Sequence, residues 1–99
     1  MYLFVDDTRE FPKSGFQCCR DYETAVLLLK ALHFDSISLD YTLGSGKNGL
    51  DILIWMKENN ISVAHINIHS NHIIGKEKMR EYCELNFPDS EITTVMLAK

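Results

Sequence analysis

Basic residues are in the minority: the 99-residue chain has 10 Lys and Arg against 14 Asp and Glu, a net charge of −4. Nucleic-acid surfaces need a basic excess gathered on one face, so this deficit excludes an extended nucleic-acid footprint. Long apolar runs are missing too, none approaching the roughly 18 residues of a membrane span. The first residues lack the charged-then-apolar order of a signal peptide. The expectation is a cytoplasmic protein with no membrane partner. Cysteine is scarce, and Cys18, Cys19 and Cys83 form an odd set without CxxC spacing, which excludes a disulfide framework and a zinc site. They read as small apolar residues in a reducing compartment. There is no internal repeat and no low-complexity tract. What is there is an ordinary globular composition, 45% apolar and 24% charged, at a length that sets one core and a single domain over residues 1–99.

Apolar segments alternate in length and period along the chain. Tyr2 to Val5 is a short continuous apolar run, as expected of a strand covered on both faces. Thr8 to Gly15 contains Pro12, Ser14 and Gly15 and reads as a loop. Phe16 to Cys19 is a second strand candidate. Asp21 can cap a helix in which Tyr22, Ala25, Val26, Leu29 and Leu32 make one stripe, ending near His33. "FDSISLDY" places Ile37 and Leu39 on one face and Ser36 and Ser38 on the other, a strand ending at Asp40. "TLGSGKNG" is a glycine-rich loop, after which Leu50, Leu53, Ile54 and Lys57 open a helix that Asn59 and Asn60 can close. "VAHINIHS" is a strand, "NHIIG" a loop, and Lys76 to Asn86 a helix burying Met79, Tyr82 and Cys83. Pro88 bars any further helical turn, and "ITTVMLA" is the last strand.

Strands alternating with helices of this length predict an α/β fold built on a parallel sheet with right-handed crossovers. Ligands of such sheets gather outside the carboxyl ends of the strands. There the sequence places Asp6 and Asp7 after the first strand, Asp40 after the third, and His69, Ser70 and Asn71 after the fourth. Carboxylates brought together repel unless a cation or a raised pKa relieves them. A hard divalent ion, Mg²⁺ or Mn²⁺, suits that donor set and keeps waters for a phosphate partner. Aspartate is also common in turns for local reasons; the candidate site rests on the set, not on any one residue.

The neighbours add chemistry of their own. Arg9 offers a planar fork of donors for a phosphate, or for Asp6 or Asp7. His69 can act as an acid–base group near neutral pH, and Ser70 and Asn71 can hydrogen-bond phosphate oxygens. The candidate catalytic residues are therefore Asp40, His69 and Arg9, the candidate phosphate ligands Arg9, Ser70 and Asn71, and the candidate metal ligands Asp6, Asp7 and Asp40. The glycines of "GSGKNG" can let backbone N–H groups approach an anion, although no Walker or dinucleotide pattern is present. His33, His65 and His72 read as structural. Trp55 makes the middle helix apolar nearly all round, which is either core or a homodimer contact.

"LFVDD" followed by "FDSISLDYTLGSGKNGLDIL" resembles the receiver domain of two-component response regulators. The resemblance implies a single flavodoxin/receiver-like three-layer domain with a five-stranded parallel sheet in order 2-1-3-4-5. It carries the receiver's acidic pair onto Asp6 and Asp7 and the phosphate-accepting aspartate onto Asp40. Too few residues separate Asp7 from Phe16 for the first receiver helix, and the last receiver helix is missing after the fifth strand. Lys99 falls where a receiver's lysine would.

"DDTREFP", "SLDYTLGSGKNG" and "HSNHIIG" are similar, in order and over nearly the whole chain, to the cyclic-phosphate processing receiver domain family. Tyr41 stands where that family often has a histidine. The resemblance implies a domain that binds a divalent metal and a phosphate ester and processes cyclic phosphates, its partner a phosphate-containing small molecule or a nucleic-acid terminus. The alternatives are a stand-alone receiver phosphorylated on Asp40, and a degenerate receiver acting as a protein-binding module.

Overall fold

A computed structural model describes residues 1–8, 10–11, 15–44 and 46–95. In chain order the elements are β1 (Tyr2–Val5), β2 (Phe16–Cys19), α1 (Tyr22–Ala31), β3 (Ser36–Leu39), α2 (Gly49–Glu58), β4 (His65–Ile68), α3 (Ile73–Asn86) and β5 (Glu91–Thr93). The strands form one parallel sheet in the order β2-β1-β3-β4-β5, the expected receiver-like order.

Handedness then decides which face each connection crosses. The steps from β2 to β3, β3 to β4 and β4 to β5 all advance in one direction along the sheet, so right-handed crossovers put α1, α2 and α3 on one face. The strand residues pointing there are apolar: Leu3, Val5, Ile37, Leu39, Ile66 and Ile68 are buried with Ala25, Leu29, Ile52, Met56 and Met79 of the helices in one core. Trp55 packs against that core, half-buried.

The step from β1 to β2 runs the other way and must cross the opposite face. It has no helix among the described residues, and Phe11 of this connection packs edge-on against Phe4 there, ring centroids 6.1 Å apart. Among the described residues the helices therefore form one layer on the sheet, where a three-layer receiver has two.

Local chemistry fixes the helix ends. Asp21 accepts a hydrogen bond from Thr24 N–H at 2.8 Å at the start of α1. Asn48 and Asp51 exchange side-chain and backbone bonds in a capping box at the start of α2. Asn60 takes a positive φ of 57° just after α2, as asparagine does at helix ends.

Three boundaries differ from the sequence-based expectation. Helix α1 stops at Ala31, before His33, with Leu32 as its C-cap. Helix α3 starts at Ile73 rather than Lys76, because the ring Nδ1 of His72 accepts from Gly75 N–H at 2.8 Å and caps it. Strand β5 is short, Glu91–Thr93, and of the remaining "TVMLA" residues 96–98 lie outside those described. No helix among the described residues is long and apolar enough to cross a membrane.

Candidate functional site

Three of the four ladders run one residue past the strands at the carboxyl edge of the sheet. Asp6 N–H donates to the Cys19 carbonyl, Asp40 N–H to the Val5 carbonyl and His69 N–H to the Leu39 carbonyl, at 3.2, 3.0 and 2.9 Å. Parallel register thus brings three residues distant in sequence to one level. Carboxylate oxygens of Asp6, Asp7 and Asp40 lie within 4.8 Å of one another. Asp6 is buried at 1% exposure, while Asp7 and Asp40 are half-buried.

Asp6 is held at both oxygens. One accepts from Thr8 N–H at 3.0 Å, the other faces His69 Nε2 at 3.0 Å. Burial raises the Asp40 carboxyl above the usual carboxylate range; a hydrogen bond from Ser70 opposes that rise and the Asp6 charge adds to it. The donor set fits a hard cation, since it consists of oxygens on three converging carboxylates that repel when empty.

The loop after Asp40 closes on itself. Gly49 N–H donates to the Tyr41 carbonyl at 2.8 Å, and a Cβ on Gly49 would overlap the Asp40 backbone carbonyl. Glycine is therefore required in "NGLDIL" for the start of α2 to lie against Asp40. Tyr41 lies against His72, centroids 4.8 Å apart, and its ring fills the space where a Cβ on Gly75 would stand. Tyr41 thus packs on the first turn of α3.

The remaining site residues divide. Asn71 is exposed just past β4, at the same sheet edge. Ser70 is 2% exposed, and besides bonding Asp40 its hydroxyl accepts from His72 N–H at 3.1 Å. Arg9 and Lys99 lie outside the described residues.

His69 does not occupy the position expected of an acid–base group. Its side chain has 0% exposure, stacks flat on Phe4 with centroids 4.6 Å apart, and meets Asp6 through Nε2 and Ser38 Oγ through Nδ1, the latter at 2.7 Å. A ring without exposed surface has no direct path to a substrate proton in this geometry.

Sequence reasoning missed Arg20. It follows β2 directly, donates to the Asp6 carbonyl at 3.1 Å and lies 3.8 Å over the Phe11 ring at the rim of the acidic pocket. Its position at a strand's carboxyl end was the available signal.

A family model for the Cyclic-phosphate processing Receiver domain matches residues 1–85. The chain belongs to that family. The match spans β1 through most of α3 and so contains every described residue of the acidic pocket. No curated protein matches the chain. The family is associated with cyclic-phosphate processing.

Proposed function

We propose that the acidic pocket binds Mg²⁺ or Mn²⁺ together with a phosphate ester, and that the ester is a cyclic phosphate which the domain hydrolyses. The observation that carries this reading is the convergence of Asp6, Asp7 and Asp40 within 4.8 Å at the carboxyl edge of the sheet. The cation, when bound, relieves the repulsion among the carboxylates and polarises a phosphoryl oxygen. Asp6 is the fixed member of the set, and Asp7 and Asp40 are the more accessible ones. Asn71, exposed beside them, supplies an amide donor for a non-bridging oxygen. Arg9, two residues after Asp7, is assigned the anion on its chemistry and place in sequence, and Arg20 supports the same side of the pocket through the Asp6 carbonyl. His69 becomes a positioning residue for Asp6.

The test is to incubate the pure chain with Mg²⁺ or Mn²⁺ and a panel of 2′,3′-cyclic nucleotides while measuring metal binding by calorimetry. Ring opening to a monoester that depends on the metal and on Asp40 is expected. No turnover together with no metal binding would sink the proposal.

One observation favours a second reading, a stand-alone receiver phosphorylated on Asp40: the Ser70 hydroxyl bonds the Asp40 carboxyl from the end of β4. Acetyl phosphate treatment followed by intact mass measurement separates the two, since only this reading yields a labile adduct lost in Asp40→Ala. A protein-binding module yields neither turnover nor adduct.

A further inference from the structure

A chain of polar side chains crosses the helix-free face of the sheet and ends on Asp6. Starting from β4, His65 Nε2 lies 2.7 Å from Thr93 Oγ1, and the Thr93 hydroxyl donates to Asn67 Oδ1 at 2.7 Å. Asn67 Nδ2 donates to Ser38 Oγ at 3.0 Å, Ser38 Oγ meets His69 Nδ1 at 2.7 Å, and His69 Nε2 meets Asp6 at 3.0 Å. Ser38, Asn67 and His69 are all buried, at 4%, 6% and 0% exposure.

The backbone of Val95 fixes the direction of every bond in it. Val95 N–H can only donate, and it donates to Asn67 Oδ1 at 3.1 Å; the Val95 carbonyl can only accept, and it accepts from Asn67 Nδ2 at 2.9 Å. The amide therefore cannot be turned over. With Nδ2 donating to it, the Ser38 hydroxyl has its own hydrogen left for His69 Nδ1, the acceptor available among the described residues. Nδ1 accepts, so the ring's donor is at Nε2, aimed at the Asp6 carboxylate. Thr93 is fixed the same way: its hydrogen goes to Asn67, so it accepts from His65 Nε2–H. All bonds then point toward Asp6, an arrangement in which aligned dipoles strengthen one another.

We infer that Asn67, clasped by the Val95 backbone, is a positioning residue for the acidic pocket: acting through Ser38, it decides which His69 nitrogen is the donor and so orients Asp6. The far end of the chain, His65 and Thr93, lines a cavity of about 310 Å³ on the helix-free face, with Val95 at its border. The exit of β5 and the acidic pocket after β1 and β3 are thus one hydrogen-bonded unit. Asn67 and Val95 do not touch the candidate ligands, and their effect reaches Asp6 only through the ring.

Two measurements on the full chain test this. Proton–nitrogen correlation spectra of the histidine ring should show the His69 hydrogen on Nε2 and none on Nδ1. Asn67→Asp replaces the donor with an acceptor, reverses the Ser38 hydroxyl, and should bring up an Nδ1–H signal. Val95→Pro, at an exposed position, removes the N–H that donates to Asn67 and keeps the carbonyl that accepts from it; it should loosen the clasp and make the His69 ring proton exchange several-fold faster. The second measurement is Mn²⁺ affinity, which rests on the cation reading above; it should fall about tenfold or more in Asn67→Asp, as when an outer partner of a ligand is lost. An Nδ1–H in the parent chain, or ring signals unchanged in both variants, overturns the inference. A parent chain that fails to bind Mn²⁺ overturns the cation reading, and the ring spectra then decide the positioning role by themselves.

Discussion

The two faces of the sheet are built from alternate residues of the same strands and solve different problems. Toward the helices point Leu3, Val5, Ile37, Leu39, Ile66 and Ile68, all at 1% exposure or less and held by apolar packing. Away from them point Tyr2, Phe4, Ser36, Ser38, His65 and Asn67, where two aromatics give way to a ladder of polar groups. Packing against helices needs volume and shape, which apolar side chains provide without direction. Hydrogen bonds have direction, and on the helix-free face direction is what reaches the acidic pocket. Stability sits chiefly on the first face, and orientation of the site on the second.

Substitutions that trim each face should separate these roles. Ile66→Ala, at 0% exposure in the middle of the helix-covered face, should cost about 2–5 kcal/mol in urea unfolding; a cost below about 1 kcal/mol would break the comparison. Gly49→Ala sits between α2 and the Asp40 carbonyl and should cost about 1–3 kcal/mol. It should also weaken Mn²⁺ binding in calorimetry, because the loop cannot relax without moving Asp40.

On the other face the expected effects are smaller. Thr93→Val keeps shape and leaves Asn67 Oδ1 its bond from Val95 N–H, so the loss should stay below about 1 kcal/mol by the same unfolding measurement. A larger loss would move part of the stability to this face.

The smallest effect has a distinctive sign. Burial raises the Asp40 carboxyl, so the folded chain holds that proton more tightly than the unfolded chain does. The resulting destabilisation is complete above the folded-state pKa and is relieved as pH falls toward the ordinary carboxylate range. Asp40→Asn should therefore be more stable than the parent at neutral pH, with the gap closing toward about pH 4. Urea midpoints across that range check it, and a gap of opposite sign contradicts the crowding of carboxylates at the site. Added Mg²⁺ should close the gap at neutral pH by stabilising the parent alone.

Much of the architecture was legible in the order of residues. Short apolar runs at Tyr2–Val5 and Phe16–Cys19, alternation at Ser36–Leu39 and the stripe after Asp21 each report a local requirement that one segment meets by itself. The start of α3 was less legible. Ile73 and Ile74 are 80% and 66% exposed, off any buried stripe, and the cap is a histidine rather than one of the usual small polar residues. The face on which His69 lies was readable in parity, since residues 65, 67 and 69 share one side of a strand. Its cover was not, because Phe4 comes from a strand more than 60 residues earlier.

By itself the sequence determined the alternation of strands and helices, the acidic residues at strand ends and the family to which the chain belongs. Those features depend on local periodicity and short motifs. Only the tertiary structure decided that α1, α2 and α3 share one face of the sheet, that His69 is enclosed between Asp6 and Ser38, and that Val95 fixes the direction of the bonds between them. Each of these depends on parallel register between distant strands, and a hydrogen bond acquires its direction only once every partner is in place.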